Sequence, residues 1–268
     1  MSKKLLLSIL LIPFFTIGQN YYAYVASESE DTVSLIKFDG KEAVEAERID
    51  VGFMFAEIEG PHGITVDPSG DFWYISLAHG NPFGTLVKYS TETNQAVART
   101  TLGLFPASME ISAITGFLYC VNFNLHGSMK PSNVSVVDPE TMTEITKITT
   151  GSMPHGSRLS PDGLFQYSVA MMSGELFEID ALDLKVSRVL NLEKKMMNDK
   201  KMDGKMMNHD NMKGKMMSND KKENMMKSMG DMKHSMVKPT WVIPHPKESI
   251  AYVACLLYTS PSPRDGIG

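Results

Sequence analysis

The chain has 268 residues, a formal net charge of −5 and 21 methionines, room for one large all-β domain or two smaller ones. Its two cysteines, Cys120 and Cys255, are too few and too far apart for a disulfide framework. Residues 193–238 hold twelve lysines against seven acidic residues, so the remainder is acidic. An acidic body with one basic insertion gives no basis for nucleic-acid binding.

In chain order, Lys3 and Lys4 precede an apolar run from Leu5 to Ile17, broken by Ser8, Pro13 and Thr16 and followed by Gly18. Residues 1–18 read as a secretory signal peptide, with a retained N-terminal anchor as the alternative. The run is too short and interrupted for a comfortable membrane span. Later segments offer none, so a periplasmic or extracellular protein is expected. Tyr22 to Val51 then supplies three strands.

Four segments align from a proline: PHGITVDPSGDFWYIS at Pro61, PASMEISAITGFLYCV at Pro106, PHGSRLSPDGLFQYSV at Pro154 and PTWVIPHPKESIAYVA at Pro239. Thirteen residues after each proline stands a tyrosine: Tyr74, Tyr119, Tyr167 or Tyr252. Each unit reads as an alternating strand, a turn such as Asp67-Pro68-Ser69-Gly70, and a second strand, Phe72 to Leu77 or Phe165 to Ala170. Third strands follow at 85–89, 133–137 and 175–179. More polar fourth strands at 96–102, 143–149 and 185–190 are expected at a rim. A repeat of short strands with a period of roughly 40–50 residues predicts an all-β fold, a β-propeller of four-stranded blades.

Tyr24-Val25-Ala26-Ser27, Tyr119-Cys120-Val121-Asn122 and Tyr252-Val253-Ala254, with the Pro-His-Gly and Ser-Pro-Asp-Gly elements, resemble YVTN-type β-propeller repeat proteins. The resemblance implies a fold that serves scaffolds, binders and enzymes alike. It also implies a ring of about seven blades, of which four to five are present, so truncation at the C-terminus is expected. Two units depart from the pattern: Ala113-Ile114-Thr115-Gly116 replaces the Pro-Asp-Gly turn, and Lys247-Glu248 stands where glycine is expected. The organisation read from the chain is a propeller at 19–192, an insertion at 193–238 and the start of a further blade at 239–255. Residues 256–268 resemble translated sequencing adapter and are expected to be non-native; a genuine polar tail is the alternative.

His62 and His155 each follow the proline that opens an innermost strand, while His79 and His126 fall between second and third strands. Propeller topology brings all four to one face, a possible funnel-face metal site. The same Pro-His-Gly could instead serve only to pack blade on blade. His245 is expected further along its strand with a structural role. Glu59 and Glu110 are acidic candidates near innermost strands. No catalytic constellation stands out: there is no nucleophile elbow, phosphate loop or haem-attachment motif.

The insertion holds thirteen of the methionines and lacks aromatic residues, leucine and isoleucine from Met196 onward. Such a composition cannot bury enough apolar surface to fold alone and is expected to be disordered or transiently helical. Thioether sulfur is soft, uncharged and insensitive to pH, which favours Cu(I). The expected copper ligands are Met202, Met206, Met207, His209, Met212, Met216, Met217, Met225, Met229, Met232, His234 and Met236. Asp231-Met232-Lys233-His234-Ser235-Met236 resembles the Met/His motifs of exported copper-handling proteins. Replication slippage without function and scavenging of oxidants are the competing accounts.

The sequence therefore predicts an exported propeller that binds copper ions through a methionine-rich loop and could pass them to a periplasmic partner on the funnel face. The alternatives are a propeller oxidoreductase with a funnel-face copper site, resembling nitrous-oxide reductase, and a plain protein-interaction scaffold.

Overall fold

The computed structural model describes residues 19–54, 56–193 and 237–257. The expected signal peptide, nearly all of the methionine-rich insertion and the tail from 258 lie outside the described residues. Among the described residues no helix is long and apolar enough to cross a membrane.

Seventeen strands form five antiparallel sheets among the described residues. The first holds β1 (Tyr21–Ser27), β2 (Thr32–Phe38) and β3 (Ala43–Asp50) in that order. Three four-stranded meanders follow. They are β4 (Pro61–Val66), β5 (Phe72–Leu77), β6 (Thr85–Ser90) and β7 (Ala96–Thr101); β8 (Pro106–Ile111), β9 (Leu118–Asn122), β10 (Pro131–Asp138) and β11 (Thr143–Ser152); and β12 (Pro154–Leu159), β13 (Phe165–Ala170), β14 (Glu175–Asp180) and β15 (Lys185–Asn191). A hairpin of β16 (Val237–Pro244) and β17 (Ala251–Leu257) completes the set. β17 therefore extends two residues past the Cys255 boundary expected for the last blade.

The proline-led strands β4, β8, β12 and β16 pack in succession, each against the next. This is the radial arrangement of propeller blades. Fourth strands lie outermost: β7 and β15 are largely exposed, whereas β5 and β9 are almost wholly buried.

The glycine after each Pro-His explains how closely the blades approach. A Cβ on Gly63 would stand 1.7 Å from the Ala107 carbonyl oxygen, and one on Gly156 would stand 2.5 Å from the Trp241 Cα. No larger residue fits without separating the strands. The recurring tyrosine packs outward onto the next blade. Tyr74 clusters with Leu118, Cys120 and Val137, and Tyr119 with Ile179 and Ala181. Burying each ring contributes about 2 kcal/mol. The Tyr119 hydroxyl donates to the Ala181 carbonyl at 3.0 Å. Between the first two blades, Trp73 stacks between Tyr24 and Tyr89, at centroid distances of 4.8 and 4.2 Å.

The units that depart from the turn pattern still turn. Six residues after the opening proline stand Asp67, Ser112, Ser160 and His245. Asp67 Oδ1 accepts from the Gly70 N–H at 2.7 Å, and Ser112 Oγ from those of Ile114 and Thr115 at 3.2 Å. Ser160 Oγ accepts from the Phe165 N–H at 2.9 Å. His245 Nδ1 accepts from the Glu248 N–H at 2.9 Å. His245 thus lies just past β16, not further along a strand as the sequence suggested, and its ring nitrogen caps the turn that an aspartate caps elsewhere.

Candidate functional site: the funnel mouth

Three of the four innermost strands, β4, β8 and β12, are entered through a left-handed residue: Gly60 at φ +66°, Phe105 at +54° and Met153 at +54°. Glycine adopts this conformation freely, but Phe105 and Met153 carry a side chain there and are strained. The neighbouring contacts hold them. Phe105 packs edge-on against His62 at 5.3 Å and against Phe123 at 5.6 Å.

His62 and His155 approach one another at the funnel, with ring centroids 6.3 Å apart. The His155 Nδ1–H donates to the Thr240 carbonyl at 2.9 Å, which fixes the tautomer and leaves Nε2 as an acceptor. The Ser108 hydroxyl donates to the His155 carbonyl at 2.5 Å. Residues from the blade on either side therefore hold this histidine. Burial, more than the nearby His62 charge, pushes the His155 imidazole below its ordinary range, although the Thr240 bond opposes this. At neutral pH it is an uncharged base.

The pair lines a cavity of about 230 Å³ together with Ile64, Met109, Arg158 and Trp241. The Arg158 guanidinium lies over the Trp241 ring at 4.4 Å and donates to the Ser157 carbonyl at 2.9 Å.

His79 and His126 share the same face but line a second cavity of about 200 Å³, with Asn81, Leu104 and Leu125. The His79 Nε2 pairs with Glu28 at 2.8 Å. Phe105 stands between the two cavities, since its ring also packs against His79 at 5.6 Å. The four histidines thus form two pairs rather than one shell. Among the described residues no group of three or more His, Cys, Asp or Glu could hold a metal ion.

The two acidic candidates have backbone partners. Glu59 Oε2 accepts from the Phe53 and Met54 N–H groups. Glu110 Oε2 accepts from the Leu159 N–H at 2.5 Å, tying β8 to β12. The expected methionine ligands and His209 and His234 lie outside the described residues.

Sequence reasoning missed Arg158, Trp241, Phe105 and Phe123. The repeat alignment contained a signal for one of them: Trp241 occupies the position of Gly63 and Gly156, so its side chain has to leave the crowded contact.

No family model matches the chain, and no curated protein matches it. Solved structures do. Hydrazine synthase from Kuenenia stuttgartiensis aligns with a TM-score of 0.52 at 19% identity, over 63% of this chain and 45% of that one. A functionally unknown protein from Desulfotomaculum acetoxidans DSM 771 aligns with a TM-score of 0.52 at 12% identity, over 63% of this chain and 52% of that one. The chain spans about half the length of these structures. At such identities the likeness shows the fold alone, an all-β propeller built from four-stranded antiparallel blades.

Proposed function

We propose that the chain is an exported binding propeller of the YVTN type whose residues 193–238 bind Cu(I), for copper handling or tolerance. The observation that carries the reading is the composition of that segment, thirteen thioethers and two imidazoles without an aromatic residue. Soft sulfur among hard, hydrated side chains selects Cu(I) by ligand type rather than by charge. The attachment of the segment supports a role at the funnel face. β15 ends beside the β13–β14 loop, where the Leu192 N–H donates to the Gly174 carbonyl at 3.0 Å. The next strand, β16, begins at Val237 and runs past the Thr240 carbonyl that anchors His155. Copper held by two or three sulfurs at a time exchanges readily, which suits delivery to a partner docked on that face.

Titration of the purified protein with Cu(I) against a competing chelator tests this, with residues 194–236 replaced by a short Gly-Ser linker as control. The intact chain is expected to take copper and the linker variant to lose it. Equal uptake by both sinks the reading. The proximity of His62 and His155 favours a second reading, an oxidoreductase copper site at the funnel. Copper retained by the linker variant and lost on H62A or H155A would establish that one instead.

A further inference from the structure

The funnel cavity has a feature that copper binding does not use. Among the described residues Arg158 is the only formally charged one in its wall. No carboxylate pairs with this guanidinium among the described residues. The carboxylate on the adjoining strand β8, Glu110, is engaged by the Leu159 N–H and does not line the cavity. The guanidinium is nevertheless held in place, stacked on Trp241 and bonded to the Ser157 carbonyl. A fixed planar fork of donors with no internal counter-charge matches a carboxylate, which it can bind in a bidentate manner.

The remaining walls define the rest of the ligand. Ile64 and Met109 offer apolar surface, and His155 presents Nε2 as an acceptor because its Nδ1–H is committed to Thr240. A volume of about 230 Å³ falls below the range of drug-sized pockets. We infer that the funnel mouth binds a small 2-hydroxycarboxylate with an apolar body: carboxylate on Arg158, hydroxyl donating to His155 Nε2, hydrocarbon against Ile64 and Met109. The site is independent of the copper reading, since none of its groups belongs to residues 194–236.

Calorimetric titration with mandelate tests the inference, run with a metal chelator present on both the intact chain and the linker variant. Saturable binding is expected in both. Mandelamide, which lacks the charge, should not bind. Phenylacetate, which lacks the hydroxyl, should bind about three- to tenfold more weakly, the effect of one neutral hydrogen bond. R158Q is expected to weaken mandelate at least about tenfold, as loss of a charge-assisted bond requires. R158K, which keeps the charge but not the fork, should give an intermediate loss and decides the question if R158Q does not fold. Absence of saturable mandelate binding by the wild type, or undiminished binding by the Arg158 variants, overturns the inference. Neither result bears on copper uptake, which the linker variant reports separately.

Discussion

Gly63→Ala tests the idea that backbone proximity between blades sets the geometry of the funnel. The added Cβ would lie 1.7 Å from the Ala107 carbonyl oxygen, where real Cβ contacts stay above 3.0 Å. β4 and β8 must therefore separate by about 1.3 Å. The Ala107 oxygen is a main-chain atom and the position of a Cβ is fixed by its backbone, so no side-chain rotation relieves the clash. Overpacking of this kind costs about 3 kcal/mol, the upper end of the usual range. Losing the bond from the Gly63 N–H to Ser76 Oγ, 2.8 Å long, adds about 1 kcal/mol. Gly70→Ala is the control: Gly70 sits at φ +81° with nothing within 4 Å of its added Cβ, so only left-handed strain of about 1–2 kcal/mol applies. Urea unfolding followed by circular dichroism compares the two. With a slope of about 2–3 kcal/mol/M, G63A should lower the midpoint by more than about 1 M, and G70A by less. A G63A midpoint equal to or above that of G70A would refute the close-packing account of Pro-His-Gly.

Asp31 accepts from the Gly60 N–H at 2.8 Å and the Glu59 N–H at 2.9 Å. D31A is expected to cost about 2–3 kcal/mol, measured by the same urea midpoint; an unchanged midpoint contradicts it. Buried Glu178 bonds Arg188 through Oε1 at 2.8 Å, and that pairing holds its carboxyl below the ordinary range. Its stabilisation is therefore present above about pH 4.5 and lost as pH falls further. Arg188 is largely exposed, so the loss should be about 1 kcal/mol, and E178Q should flatten the acid limb of a thermal-midpoint profile. Burial pushes the Cys120 thiol far above its usual range, and burial raises Cys255 less severely. A thiol reagent at mild alkaline pH should label Cys255 in the native protein and Cys120 only after unfolding; native labelling of both is the contrary result.

The strands were legible in the sequence because each unit carries its own punctuation. Proline opens β4, β8 and β12 and stands third in β16, a turn follows six residues later, and the tyrosine falls at the second or third residue of the next strand. The second strands β5 and β13 fall on the expected residues. The turns at 112–116 and 245–250 looked like departures only because the pattern was read through proline and glycine. The function shared by Asp67, Ser112, Ser160 and His245 is acceptance of main-chain N–H groups, which several side chains can perform. The histidine positions could also be assigned to one face from topology. Their division into two pairs could not, because it depends on the Phe105 ring. Arg158 was invisible as a site residue for a similar reason: its meaning lies in the absence of a nearby carboxylate, and spacing along a chain does not report what is missing in space.

In the two Pro-His-Gly units the second and third positions of the inner strand have separate duties. Position three, Gly63 or Gly156, bears the contact between blades, while position two carries His62, Ala107, His155 or Thr240 around the mouth. In those two units scaffold and mouth are thus encoded in adjacent codons, whereas Ser108 and Trp241, at position three of the other two, line the funnel cavity. The mouth can be rewritten blade by blade, an imidazole exchanged for a methyl or a hydroxyl, while the spacing that holds the ring together is left alone.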